Sequence, residues 1–110
     1  MITRVANVRN YKPYNEYWTN PPTDPYIYIG RKVRFQIPFK SKWHNPFTVE
    51  KIKGNEVPGS REKAMHQYGE YIMNRPDLLN QLHELKGKTL GCWCKPLPCH
   101  GDILAEIVDG

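Results

Sequence analysis

Thr89-Leu90-Gly91-Cys92-Trp93-Cys94-Lys95-Pro96-Leu97-Pro98-Cys99-His100-Gly101-Asp102-Ile103-Leu104 is the stretch on which the fold turns. Its first six residues alternate, putting Leu90, Cys92 and Cys94 on one face and Gly91 and Trp93 on the other, the period of a β-strand. Two prolines then interrupt any regular element. Beyond Asp102 the period changes, and Ile103, Leu104, Ile107 and Val108 form the apolar stripe of a helix. The stretch therefore predicts strand, turn and helix in succession. It also holds all three cysteines of the chain, one of its four histidines and an acid.

The pattern extends outward on both sides of this unit. Leu78, Leu79, Leu82 and Leu85 give one apolar face to a helix that Pro76 opens and Gly87 closes. Ser60 suits the N-cap of a preceding helix running to about Asn74, with Ala64, Met65, Tyr68 and Ile72 as its buried stripe. Ile2 to Val8 and Tyr26 to Ile29 are rich in β-formers and predict two strands, and Phe47 to Ile52 predicts a short third. The prolines between Asn10 and Pro25 predict an irregular loop. The expected architecture is α/β: one small domain over residues 1–110, a Rossmann-like sheet flanked by about three helices, with a long basic-aromatic loop over about 31–59.

Composition sets the limits. A chain of 110 residues supports one modest core, and its mean hydropathy of -0.70 with 12% aromatics is polar yet too aromatic for disorder. No apolar run reaches membrane-spanning length, and the amino terminus lacks a signal peptide's apolar segment, so a cytoplasmic protein without membrane attachment is expected. Three clustered cysteines exclude a disulfide framework between distant segments. The net charge of +5 is concentrated: residues 31–53 carry Arg31, Lys32, Arg34, Lys40, Lys42, Lys51 and Lys53 against Glu50 alone. Phe35, Phe39, Trp43 and Phe47 interleave with them. Cations among aromatics suit phosphate contact with base stacking, and they equally suit a solvated loop whose rings cover the core.

The cysteine cluster supports three readings. Cys92, Cys94, Cys99 and His100 have the residue types of a Cys₃His zinc site, although their spacing departs from the usual C-x₂₋₄-C pairs. Alternatively, Cys99, His100 and Asp102 stand at a helix start, where free amides and the helix dipole attract anions and favour a Cys99 thiolate, as catalytic groups would require. The third reading is structural, with buried thiols, a capping histidine and Asp102 in the first helical turn.

Tyr28-Ile29-Gly30-Arg31, Trp43-His44-Asn45-Pro46-Phe47, Arg61 with Tyr68 in a helix, and the Leu90 to Leu104 motif together resemble domain-of-unknown-function family 4326 over nearly the whole chain. Members of that family occur in bacteria and their phages and have no established activity. One departure is His44, where the family commonly has Gly before Asn-Pro-Phe. The turn into the last helix is also similar to that of another uncharacterised α/β family reading Cys-His-Arg, whose arginine is replaced here by Gly101. That substitution would leave a phosphate without its cation unless Arg31 or Lys95 supplied one.

These motifs are expected to meet at one sheet edge, because open α/β sheets bind ligands beyond the carboxyl ends of their strands. In such a pocket Gly30, Arg31 and Lys95 would hold a phosphate, Trp43 would stack on a ring and Asn45 would bond its edge. Cys99, His100 and Asp102 would act as catalytic groups, and Arg34, Lys40 and Lys42 would follow a nucleic-acid backbone. The expected function is binding or acting on a nucleotide, a nucleoside derivative or a nucleic-acid end, with glycosidic-bond or phosphoryl chemistry and no cofactor. The alternatives are a non-enzymatic nucleotide or nucleic-acid module with structural zinc, and a phage protein that sequesters a signalling nucleotide or binds a host protein. A phage-encoded chain would act in the host cytoplasm.

Overall fold

In the computed structural model, which describes residues 2–110, the chain runs β1 (Arg4–Asn7), a 3-10 turn (Val8–Asn10), α1 (Tyr14–Tyr17) and β2 (Tyr26–Tyr28). A hairpin of β3 (Lys51–Ile52) and β4 (Asn55–Glu56) precedes α2 (Ser60–Met73) and α3 (Pro76–Leu79). A second 3-10 turn (Leu82–Leu85), β5 (Thr89–Cys92) and α4 (His100–Asp109) complete it. The strand, turn and helix expected at the carboxyl end are all present.

The main sheet is parallel in the order β1-β5-β2, with Leu90 paired to both Val5 and Ile27. The last strand is thus the central one. Since all three run the same way, their carboxyl ends at Asn7, Tyr28 and Cys92 share one edge. The sheet is an α/β sheet, but its three strands fall short of the six of a doubly wound dinucleotide-binding fold, so the Rossmann-like expectation extends only to parallel strands with helices.

Strand alternation divides the interior into two. Ile27, Ile29, Leu90 and Cys92 face a core completed by Tyr68 and Ile72 of α2 and Leu104 of α4. Ile29, Ile72, Leu85, Leu90 and Leu104 are fully buried there, each contributing roughly 1.5–3 kcal/mol. Tyr28 and Gly91 point to the opposite face, where Val8, Trp18 and Ile37 form a second core ringed by tyrosines. Gly91 admits Trp18: a Cβ at that position would stand 2.4 Å from the indole. Gly101 similarly lets α4 approach the sheet, since a Cβ there would lie 2.8 Å from both Ile29 and Val5.

Local departures from the sequence expectations have simple causes. The strand expected over Phe47 to Ile52 is reduced to a two-residue arm of a hairpin turned at Lys53-Gly54, both with positive φ. The second helix breaks after one turn and continues as a 3-10 turn, so Leu82 and Leu85 reach the core without a continuous helix. Gly59 at φ +81 caps α2 in place of Ser60. The Ser60 hydroxyl instead donates to the Val57 carbonyl at 2.7 Å. The proline-rich loop after β1 contains the single helical turn α1.

Candidate functional site

The carboxyl edge of the sheet opens into a cavity of about 490 Å³. Segments far apart in sequence reach it. Gly30, Arg31 and Lys32 follow β2, Asn45 and Phe47 come from the long loop, Lys51 from the hairpin and Arg61 from α2, while Cys92, Cys94, Cys99 and His100 close the inner wall. Among the described residues, four cations and no carboxylate line it.

Hydrogen bonds join these segments directly. Arg31 donates from Nε and Nη2 to the Asn45 carbonyl at 3.1 and 2.6 Å, and Ser41 N donates to the Gly30 carbonyl at 3.0 Å. Tyr28 donates to the Arg31 carbonyl at 2.5 Å while accepting from Trp93 Nε1 at 2.8 Å. Burial pushes the Tyr28 phenol up to about 12, so it keeps the proton it donates. Asn7 Nδ2 donates to the Lys95 carbonyl at 2.7 Å, fixing the cysteine turn to β1. Arg61 Nη1 donates to the Pro98 carbonyl at 2.9 Å, and its other nitrogens hold Glu56.

The three thiols occupy different settings. Cys92 and Cys99 are buried, with Sγ atoms 3.1 Å apart, while Cys94 is half-buried on the cavity wall. A hydrogen bond from Cys99 and the neighbouring Arg61 guanidinium lower the Cys94 pKa to about 6, against the opposing effect of burial. Cys92 is lowered to about 7, first by Cys99. Cys99 is raised, first by its hydrogen bond with Cys92, then by that with Cys94 and by burial. The thiolate expected at Cys99 from the helix dipole therefore resides elsewhere: a local hydrogen-bond donor role outweighs the dipole, and Cys99 is only 3% exposed.

His100 and Asp102 also differ from their expected catalytic roles. His100 is 8% exposed, its Nε2–H donates to the Ile29 carbonyl at 2.7 Å, and its ring lies edge-on to Tyr68. Burial pushes its pKa down to about 4, leaving a neutral ring that ties α4 to the residue following β2. Asp102 accepts from Cys99 N at 3.0 Å and from Lys95 Nζ at 2.5 Å. It is a helix-capping carboxylate, and neither it nor Lys95 lines the cavity.

Other expected ligand contacts are similarly revised. Trp43 is 2% exposed and offers no free ring face; its carbonyl accepts from Tyr68 at 2.7 Å. Asn45 lines the cavity, and its Oδ1 accepts from Phe47 N at 2.9 Å, which closes its own turn. Lys40 and Lys42 line a separate cavity of about 290 Å³, where Lys42 pairs with Glu84 at 2.8 Å. Arg34 stays exposed beside Phe35, its guanidinium 4.8 Å from the ring centre. His100 Nε2 is committed to a carbonyl, and among the described residues no group of three ligand-type side chains has metal-holding geometry. Lys32, Lys51, Arg61 and Cys94 are the cavity groups that sequence reasoning undervalued. Arg61 and Cys94 carried a signal as parts of the quoted family motifs, and Lys32 and Lys51 only as members of the basic segment.

Comparison with known proteins identifies no function. No solved structure matches the chain. An uncharacterized protein of Acanthamoeba polyphaga mimivirus is 37% identical over 92 residues, covering 74% of this chain and 65% of the viral protein. The chain thus spans just under two thirds of that relative's length. An uncharacterized 12.4 kDa protein in the nrdA-td intergenic region of Enterobacteria phage T4 is 36% identical over 91 residues, 76% of this chain and 84% of that protein. The model of the family described as Domain of unknown function (DUF4326) matches residues 11–110, and the chain belongs to that family.

Proposed function

We propose that the protein binds a nucleotide or nucleoside derivative in the cavity at the carboxyl edge of its parallel sheet. The observation that carries this reading is the wall itself: Arg31, Lys32, Lys51 and Arg61 with no acid, beside apolar surface from Phe47, Val33 and Ala64. Cations attract phosphate, apolar surface accepts a base or sugar, and the volume lies within the range of small-ligand sites. Arg31 and Arg61 are partly spent on Asn45 and Glu56, so Lys32 and Lys51 are the cations freest to meet a ligand. Cys94 is the group equipped for chemistry. Its thiolate would attack an electrophilic carbon or phosphorus of the ligand, whose leaving group departs with the bonding electron pair.

Thermal unfolding against a panel of nucleoside phosphates and matched nucleosides tests the binding. A phosphorylated compound is expected to raise Tm, by the equivalent of about 2.7 kcal/mol at one hundred times its Kd, while its nucleoside has little effect. Replacing both Lys32 and Lys51 by Ala is expected to weaken binding roughly 100-fold or more, since each charge-assisted hydrogen bond contributes about 1.5–3 kcal/mol. A panel with no stabilising phosphate compound at millimolar concentration overturns the reading.

A further inference from the structure

Phe35 combines two unfavourable features at one position. It is 87% exposed, the highest value among the large apolar side chains of the described residues, and its φ is +71, a left-handed conformation that a bulky residue rarely adopts. For folding alone, glycine or asparagine would serve this turn better. The base of the turn is rigid. Val33 and Ile37 exchange backbone hydrogen bonds of 2.9 Å in both directions, and Ile37 is fully buried in the aromatic core. The tip is therefore held outward by its anchored base.

The turn rises from the cavity rim. Arg31, Lys32 and Val33 line the cavity, and Phe35, two residues farther on, has its Cα within about 7 Å of that of Val33. The Arg34 guanidinium lies against the ring. Three cations and an open aromatic face thus follow one another away from a cationic cavity.

We propose that Phe35 is a stacking platform for a base lying just outside the cavity, so that the ligand is a single-stranded nucleic acid whose terminal nucleotide fills the cavity. The inference rests on the nucleotide reading above and specifies its ligand. Single-strand binding needs a ring for a base face and cations along the backbone, and residues 31–35 supply both in one turn. A lipid surface would fit less well, because Phe35 is the one apolar side chain at the tip while Ile37 is committed to the core.

The test compares a fluorescein-labelled ten-nucleotide single strand, as DNA and as RNA, with unlabelled mononucleotides as competitors, using wild type, Phe35→Ala and Phe35→Trp. Anisotropy is expected to show tighter binding of the oligonucleotide than of any mononucleotide. Phe35→Ala should weaken the oligonucleotide roughly 10-fold, with Phe35→Trp restoring it, because stacking accepts any aromatic face. Mononucleotide affinity and the salt dependence should stay unchanged, since no cation is removed. Mononucleotide binding with an oligonucleotide indifferent to Phe35→Ala overturns this proposal and leaves the cavity reading intact. Failure of both ligands overturns both. Loss of binding to phosphatidylserine vesicles in Phe35→Ala, with oligonucleotide affinity unchanged, assigns the ring to lipid and likewise overturns the proposal.

Discussion

Cys94 and Cys99 stand five residues apart in one turn, yet their environments oppose each other. Cys99 sits buried with Cys92 and His100 at the inner end of the cavity wall, its amide capped by the half-buried Asp102, and each of these polar groups is bonded within the fold. Cys94 belongs to the open side, on a cavity wall next to Arg61. The comparison teaches that a cluster of reactive residue types can be mostly architecture. Its packed members hold the turn rigid, and the Cys99 thiol helps lower the pKa of the neighbour on the wall.

The strongest way to break this contrast is through the titration of His100. Its folded pKa lies below its unfolded value, so the unfolded chain binds the extra proton between about pH 6.5 and 4. Stability contributed by the neutral ring is complete above that window and is lost as pH falls through it, on the order of 3 kcal/mol. Urea midpoints at pH 7 and 4.5 should show the loss in wild type and a smaller one in His100→Gln. Equal pH dependence in both would remove His100 from the buried side.

Alkylation sharpens the contrast next. Iodoacetamide at pH 7 should modify Cys94 about 100-fold faster than Cys99, which is buried and protonated, as read by peptide mass spectrometry. The rate should rise with pH through an inflection near 6 that moves upward in Arg61→Gln, as the guanidinium favours the thiolate. Preferential labelling of Cys99 would reverse the assignment. The smallest effect belongs to Asp102→Asn, which weakens the cap at Cys99 N and the pair with Lys95. A loss of about 1 kcal/mol is expected, with Cys94 alkylation changed little. A large drop in Cys94 reactivity would show that the cap shapes the cavity.

Much of the fold was legible because alternation and helical period are local properties. Leu90 and Cys92 do share a face opposite Gly91, and Ile103 to Val108 do form a helical stripe. Boundaries that depend on distant partners were less visible, as when α3 breaks so that Leu82 and Leu85 can follow the core. The candidate site divides the same way. Gly30, Arg31, Asn45, Cys99 and His100 do gather at one cavity. Which of them face it could not be read, because Trp43 and Asn45 serve a ligand or a turn equally well until their neighbours are known. The basic segment is split likewise, Lys32 going to the cavity and Lys42 to Glu84.

The sequence by itself determined the family, the α/β class and the strand-turn-helix unit that carries the cysteines, since these depend on residue order and periodicity. Only the tertiary structure decided that β5 is central, that Arg61 from α2 stands beside Cys94, and that Cys99 gives up its expected thiolate. Proton affinity depends on the dielectric, charges and donors within a few ångströms, and folding draws those from α2, β2 and the turn together.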